Sequence, residues 1–282
     1  GSEEMVRICM HIVKYNIKKW KQNYNILLGL IYLLIISDMM FRPARKIVEQ
    51  LGFSPNISSF SLIWNSTFFI LLFFLGVILF YSDAPFQDSM TSFVMIRCGK
   101  IKFMIAQICY IFLLGILIPG VFFLIQYIFL LPTEADGWGK FWGTIAQTNI
   151  AEEAECRLQF DYHILWEYEP KEAFIITFFT CIFLTTITGL FIYLFSLFQM
   201  KTLGICLISL FIILPSVVDT LNYTTFYWIS PYSWICLDTT AKEYNGILPS
   251  VSYTFLMLFL ITIVLILLII LRIKKGKESL MV

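Results

Sequence analysis

The chain has 282 residues, of which 59% are hydrophobic and 14% are charged, and its mean hydropathy is +0.81. Soluble domains average about 25% charged residues, so this composition excludes a protein whose whole surface faces water. A net charge of +1 gives no sign of the broad positive field by which many proteins attract nucleic acid, and no nucleic-acid partner is expected.

The first predicted element is an amphipathic helix over residues 4–21. Apolar residues recur there at three- and four-residue spacing, while Lys14, Lys18 and Lys21 fall on another face. This pattern is typical of a helix that lies in the membrane interface. An ordinary basic flank that only sets topology is the alternative.

Six segments are then apolar enough to cross about 30 Å of hydrocarbon as helices. The predicted spans are residues 25–41, 61–81, 103–131, 173–198, 203–218 and 251–271. No repeat or low-complexity linker divides the chain. We therefore expect one all-α integral membrane domain over residues 1–282.

Lys and Arg residues predict the orientation of this domain. With both termini in the cytoplasm, thirteen of the 20 basic residues lie on the cytoplasmic side and seven lie outside. Cytoplasmic loops of membrane proteins carry the excess of Lys and Arg. The bias predicts a multi-pass protein with both ends inside, and the abundance of Ile, Asn and Phe suggests a bacterial cell membrane.

Three connections between the spans are long enough to carry structure. The cytoplasmic loop 82–102 contains a helix-like stretch, about 86–96, preceded by the capping residues Asp83 and Pro85. Residues 132–172 form an acidic and aromatic outer cap, with nine Asp or Glu against three Lys or Arg. Residues 219–250 are aromatic but interrupted by Asn, Ser and Pro, which favours a short re-entrant or interfacial helix packed on protein.

Motifs for self-contained chemistry are missing. No GxxxxGK[ST] run is present, so the chain cannot bind ATP phosphates by a P-loop. The two histidines, His11 and His163, fall on opposite sides of the predicted membrane, so no metal site and no bound cofactor are expected. No CxxC pair occurs; Cys156 and Cys236 are both predicted outside, and whether they pair stays open.

Polar residues within the spans are few. Asp38, near the outer end of the first span, is either a functional carboxylate or the partner of Arg42. Thr177, Thr180, Thr185 and Thr188 lie on one arc of the fourth span, where close helix packing and a substrate-lining stripe are the alternatives. One acid is a poor proton relay, which argues against a proton-driven transporter.

With these parts in order, the chain resembles the type-2 permeases of bacterial ABC exporters. The shared layout is an N-terminal interfacial helix, six spans, a helical cytoplasmic loop between spans two and three, and a broken aromatic segment before span six. The stretch from Ser82-Asp-Ala-Pro-Phe to Ile96-Arg-Cys-Gly-Lys-Ile-Lys-Phe103 looks most like family sequence. The subgroup that it resembles exports peptide toxins such as phenol-soluble modulins, or bacteriocins.

This resemblance implies partners and roles. The partners would be a separate ABC ATPase that supplies ATP and Mg²⁺, a second permease copy or paralogue, membrane lipid, and an amphipathic peptide or lipid-like substrate. The loop would be the coupling helix that enters the ATPase, through Asp83, Phe86, Asp88, Met90, Phe93 and Arg97. The substrate path would be lined by Phe68, Phe69 and Phe73, with Asp38 near its outer end.

Two readings from other classes remain. One is an intramembrane enzyme that acts on lipid or peptide with outer carboxylates such as Glu152 or Asp161; the simpler account of these acids is a solvated face. The other is an immunity or sensor subunit that binds a peptide without moving it. Under the leading hypothesis, that of an exporter permease, the chain is no enzyme by itself and has no catalytic residues.

Overall fold

The structure is a computed structural model that describes residues 2–82, 89–133, 137–156, 158 and 160–278. These residues form α-helices and short 3₁₀ turns, and two isolated bridges are the only β-pairing among them. The α-helices in chain order are α1 (Ser2–Lys18), α2 (Tyr24–Leu51), α3 (Phe60–Ile63), α4 (Thr67–Tyr81), α5 (Ser89–Cys98), α6 (Lys100–Leu130), α7 (Gly139–Gln147), α8 (Ile150–Glu153), α9 (Ile164–Glu167), α10 (Pro170–Leu197), α11 (Lys201–Leu221) and α12 (Val251–Glu278).

Five helices are long and apolar enough to cross a membrane: α2, α6, α10, α11 and the Val251–Lys275 part of α12. They coincide with five of the six predicted spans, which supports a multi-pass membrane protein. α2, α11 and α12 extend beyond the predicted limits, whereas α6 and α10 each begin three residues before the predicted start and end one residue before the predicted end.

The second predicted span, 61–81, is broken. α3 and α4 meet at a bend of 98° across Trp64–Ser66. The Ser66 side chain accepts a hydrogen bond from the Phe69 amide and begins α4 as its N-cap, which stops a continuous helix. α4 has 15 residues and so reaches only about 22 Å, less than the hydrocarbon core. The bent pair gives a sixth span only if both halves cross as one unit.

α2 continues ten residues past the predicted limit at Phe41. Phe41, Ala44 and Ile47 are fully buried at helical spacing, so the core continues along this face. Arg42 and Arg45 lie on the exposed face, where each pairs with an acid one turn away. The helix ends at Gly52, whose left-handed backbone conformation (φ 73°) supports the final amide-to-carbonyl bond to Val48.

The helices define two ends of the bundle. At one end, which we call the basic end, Lys102 lies 3.8 Å from Glu4 of α1 and Arg272 of α12 lies 4.7 Å from the Phe198 ring. At the other, the cap end, the Lys242 ammonium lies 2.7 Å from the Glu172 carboxylate. The segments 132–172 and 219–250 therefore meet each other at the cap end.

α10 is the centre of the bundle and packs against α6, α11, α12 and both halves of the broken span. The four threonines of the predicted arc, Thr177, Thr180, Thr185 and Thr188, are buried, and Thr188 also shares a 2.7 Å hydrogen bond with Tyr232. Each of these hydroxyls donates to the carbonyl one turn earlier. The threonine arc therefore serves helix packing in this conformation.

The sequence favours a short re-entrant or interfacial helix within the segment 219–250, and the structure has 3₁₀ turns there. The segment folds as three consecutive 3₁₀ turns, Thr224–Ile229, Pro231–Ile235 and Leu237–Thr239. The middle turn is buried against α10, α11 and α12. The middle part of this broken segment thus packs on protein, whereas Thr224–Ile229 has no buried residue.

An aromatic core joins the bend to α6. The Trp64 ring lies 4.9 Å from Phe73, and the Phe122 ring lies 5.5 Å from Phe69 and 5.1 Å from Phe73. All four side chains are fully buried. Such ring pairs stabilise a core beyond their buried area, so this cluster holds the bend in place.

Gln126 of α6 is the buried polar residue with the least satisfied side chain. It is 1% exposed, and neither its amide nitrogen nor its oxygen has a hydrogen-bond partner among the described residues. Because an unsatisfied buried amide costs about 1–3 kcal/mol, Gln126→Leu should raise the unfolding free energy by that order. Thermal unfolding in detergent measures the change. Gln50→Leu, at an exposed position near the end of α2, is the control and should shift the midpoint little; an equal shift in both variants contradicts the prediction.

Candidate functional site

α5 is the first candidate site, because it exposes apolar side chains at the basic end of the bundle. Phe93 is 67% exposed and Ile96 is 82% exposed. Only Gly99 separates α5 from α6, and its φ of 85° lets the chain change direction there without the strain that a side chain would add. A short helix with exposed apolar residues is thus attached directly to the start of a long one.

The predicted coupling residues fall partly on this helix. Met90 lies in the first turn of α5, and Phe93 and Arg97 are both exposed and one turn apart, which places them on one face. Asp83, Phe86 and Asp88 lie outside the described residues. The described part of the predicted helix at 86–96 is helical, within Ser89–Cys98.

α1 packs beside α5 on the same helix, α6. The Asn16 amide donates to the Gln107 side-chain oxygen at 3.2 Å, and the Trp20 indole donates to the Tyr110 hydroxyl at 2.6 Å. Cys9, Ile12 and Asn16 are buried, while the opposite face is exposed. A helix is therefore present over most of the predicted segment 4–21, and its buried face packs on α6.

A cavity of about 290 Å³ lies where α5, α6 and α12 meet. Its lining residues are Cys98, Gly99, Lys100, Ile101, Lys102 and Ile273. The cavity therefore borders the junction of α5 with α6.

The residues predicted to line the substrate path lie in three different environments. Phe68 is 41% exposed, whereas Phe69 and Phe73 have no exposed surface and belong to the aromatic core. Asp38 pairs with Arg42, with 3.2 Å between the carboxylate and the guanidinium Nε. The structure therefore brings Phe69 and Phe73 together but does not expose them to a passage in this conformation.

A second candidate site is a cleft of about 670 Å³ at the cap end. It lies beside the bend of the second span, and three carboxylates face it. The lining residues are Asn65, Ser66, Thr67, Phe68, Ala151, Glu152, Glu155, Cys156 and Asp219. An open cleft with this charge suits a ligand that carries a positive group.

Cys156 and Cys236 are both buried at the cap end and both are free thiols. The Cys236 thiol donates to the Asn65 side-chain oxygen at 3.3 Å. Burial raises the pKa of both thiols, so neither is a ready nucleophile.

The third candidate site groups Asp161, His163 and Asp238. One possible ligand atom from each lies within 4.8 Å of the others. Asp161 and His163 belong to the cap, and Asp238 belongs to the 3₁₀ turn Leu237–Thr239. Burial, and then the charge of Asp161, raise the pKa of Asp238 to about 7. The sequence gives no sign of this cluster, because it has only one histidine on the predicted outer side and no spacing pattern connects Asp238 to Asp161, 77 positions earlier.

The raised pKa of Asp238 makes stability depend on pH. The folded state holds the proton more tightly than the unfolded state, whose pKa is near 3.8, so stability is lost as pH rises from about 4 through about 7. Asp238→Asn removes the charge and should therefore stabilise the protein at pH 8, by up to about 4 kcal/mol, and change little at pH 4. Thermal unfolding at both pH values, with a chelator present, measures this.

The control for this prediction is Asp219→Asn, which removes an exposed acid at the same end. It should not reproduce the pH-dependent gain. A gain for Asp238→Asn that is equal at pH 4 and pH 8 would contradict the assignment of the effect to this carboxylate.

Comparison of the chain with family models, characterised proteins and solved structures finds no match.

Proposed function

We propose that this chain is the membrane-spanning subunit of an ATP-driven exporter of the type-2 permease kind. It moves an amphipathic peptide or lipid-like molecule out of the cell. A separate ATPase supplies the energy, since no P-loop is present in the sequence.

One observation carries the proposal, which is the exposure of Phe93 and Ile96 on α5. Two large apolar side chains in water at a basic, polar end favour a partner that covers them. Aromatic anchors that fill a partner's pocket account for much of the binding energy of protein interfaces. The partner expected here is the ATPase, which docks on α5 and on the adjoining basic residues.

The charge distribution supports the orientation. α5, the start of α6 and the end of α12 carry basic residues at the basic end, and the acidic cap lies at the other. By the excess of Lys and Arg on cytoplasmic loops, the basic end faces the cytoplasm and both termini lie there. The bent pair of α3 and α4 then counts as the second of six spans.

A second copy of the permease completes the proposed exporter. In α11 only 28% of the apolar window is buried, against 61% in α10. The exposed faces of α2 and α11 are open to lipid or to the second copy. The path lies between the two copies, and Phe68 and Asp38 are its candidates at the cap end.

Co-purification tests this proposal. The tagged chain, extracted from membranes of its own host in a mild detergent, should bring down a P-loop ATPase at a ratio near one to one. That complex should hydrolyse ATP, whereas the isolated chain should not. Hydrolysis by the isolated chain, or the failure of any P-loop ATPase to co-purify even after cross-linking in the membrane, overturns the proposal.

An outer-surface enzyme that acts on lipid or peptide is the second candidate. The observation in its favour is the cap-end cleft, where Glu152, Glu155 and Asp219 lie beside the exposed Phe68. Alanine replacement of the three acids distinguishes the two functions. Full biological activity of the triple variant in cells rules out the enzyme function. Loss of this activity while ATPase stimulation stays intact favours the enzyme function.

A further inference from the structure

Asp161, His163 and Asp238 combine a ring nitrogen with two carboxylates, and they come from two parts of the chain. We propose that they bind one divalent transition-metal ion of the zinc type, which joins the cap to the turn Leu237–Thr239. This inference goes beyond the proposed transport function and does not depend on it.

The chemistry of the donors selects the class of ion. Zinc binds imidazole nitrogen and carboxylate oxygen at about 2.0–2.2 Å, so two donors of one tetrahedral ion lie about 3.4 Å apart. The donors here lie within 4.8 Å of one another, and 3.9 Å separates His163 Nδ1 from Asp161 Oδ2. The Asp161 side chain is 79% exposed and therefore free to rotate inward. Mg²⁺ and Ca²⁺ prefer oxygen donors alone and are disfavoured by the imidazole.

The second ring nitrogen of His163 has the surroundings of a metal ligand. His163 Nε2 lies 3.9 Å from the Glu167 carboxylate. A histidine that binds metal through one nitrogen usually donates the other N–H to a carboxylate or carbonyl, which fixes the ring and its tautomer. Nδ1 can thus face the ion while Nε2–H faces Glu167.

The surroundings of Asp238 are a separate observation in favour of a bound cation. Its Oδ2 accepts a bond from the Asp161 amide at 3.4 Å, whereas Oδ1 is buried and has no hydrogen-bond partner within the described part of the chain. A buried carboxylate oxygen next to a second carboxylate is stabilised by a bound cation, which removes the repulsion between the two charges. The nearby Lys242 does not fill this role, because its ammonium bonds to Glu172 and to the Glu167 carbonyl.

Three protein donors leave one coordination position to water. The site is therefore half open, with Asp161 and His163 on the solvent side and Asp238 on the protein side. Its consequence for the fold is local: the ion cross-links two segments that otherwise meet through exposed polar contacts such as Lys242 with Glu172.

Metal binding by the purified full chain tests the proposal. After treatment with a chelator and its removal, Zn²⁺ is titrated by competition with a chromophoric indicator, and Co²⁺ is followed by its visible absorption. Wild type should bind one equivalent of either ion. His163→Gln and Asp238→Asn should each weaken binding at least about 100-fold, and Glu167→Gln, which changes the partner of the ring, about 10–100-fold. Glu153→Gln, an exposed cap acid outside both the cluster and the cap-end cleft, should bind as wild type does.

Thermal unfolding of the same variants guards against misfolding. In chelator, all variants should melt cooperatively, and Asp238→Asn should melt no lower than wild type at pH 8. In Zn²⁺, wild type should gain several degrees and His163→Gln none. The proposal is overturned if wild type binds no equivalent, if Mg²⁺ or Ca²⁺ binds as tightly as Zn²⁺, or if His163→Gln retains both the equivalent and the shift.

Discussion

Phe93→Asp should uncouple this chain from the proposed ATPase partner. The Phe93 side chain is 67% exposed on α5, so the substitution breaks no internal packing, and it places a charge where an apolar anchor is expected to enter a pocket. Loss of an anchor of this kind costs about 2–4 kcal/mol, which weakens docking by about 30-fold or more. Substrate-stimulated ATP hydrolysis by the reconstituted complex, and transport in cells, should fall together.

Phe53→Asp is the matched control for Phe93→Asp. Phe53 follows α2 and is 39% exposed, so the change in chemistry is the same away from α5. It should leave ATP hydrolysis and co-purification near wild-type values. Transport at the wild-type level in Phe93→Asp, with the chain correctly folded, refutes the coupling role of α5.

Phe122→Ala should cause the largest loss of stability. The Phe122 ring packs against Trp64 at 5.7 Å and against Phe69 and Phe73, so its removal leaves a cavity where α3, α4 and α6 meet. Phe-to-Ala changes in cores cost about 3–5 kcal/mol. Packing rather than transfer from water is what is lost inside a membrane, which places the expectation at the lower end, about 3 kcal/mol.

Leu124 provides the comparison on the same helix, because it is 59% exposed. Leu124→Ala should lower the unfolding midpoint in detergent by much less than Phe122→Ala. Equal effects would mean that the aromatic core is not a tightly packed unit.

Hydropathy was sufficient to find the long helices, because 18 or more apolar residues leave few alternatives. It could not place their ends. α2 continues past Phe41 since Ala44 and Ile47 remain on the buried face, while the charges of Arg42 and Arg45 lie on the other. A hydropathy average over a window of residues includes both faces of the helix. The charged residues on the exposed face lower this average, so the helix is predicted to end too early.

The bend in the second span shows the same limit of hydropathy averages. Asn65 and Ser66 are two polar residues in a strongly apolar run, so their effect on the average is small. Their effect on the backbone is large, because the Ser66 side chain caps α4 at the Phe69 amide. The capping pattern was present in the sequence and outweighed the hydropathy locally.

The candidate sites differ in how far the sequence could reach. α5 was predictable from its position between two spans and its basic flank. The grouping of Asp161 with Asp238 was not, since a contact across 77 residues depends on how the last outer loop returns to the cap. The surroundings of Phe69 and Phe73 were equally inaccessible, because helix periodicity does not say which apolar face meets protein and which meets lipid.

α6 has 31 residues and is therefore about 46 Å long, some 16 Å longer than the hydrocarbon it crosses. α5 and α1 are fastened to one end, and beyond its other end Thr133 bonds to Pro55 and Gly137 accepts a bond from Asn56. The helix is thus held by neighbouring segments at both ends, and Pro119 in its interior removes one backbone hydrogen bond between them. Over about 46 Å, a tilt of a few degrees at the α5 end displaces the cap end of α6 by ångströms, so the proposed docking of a partner on α5 would be felt at Pro55 and Asn56.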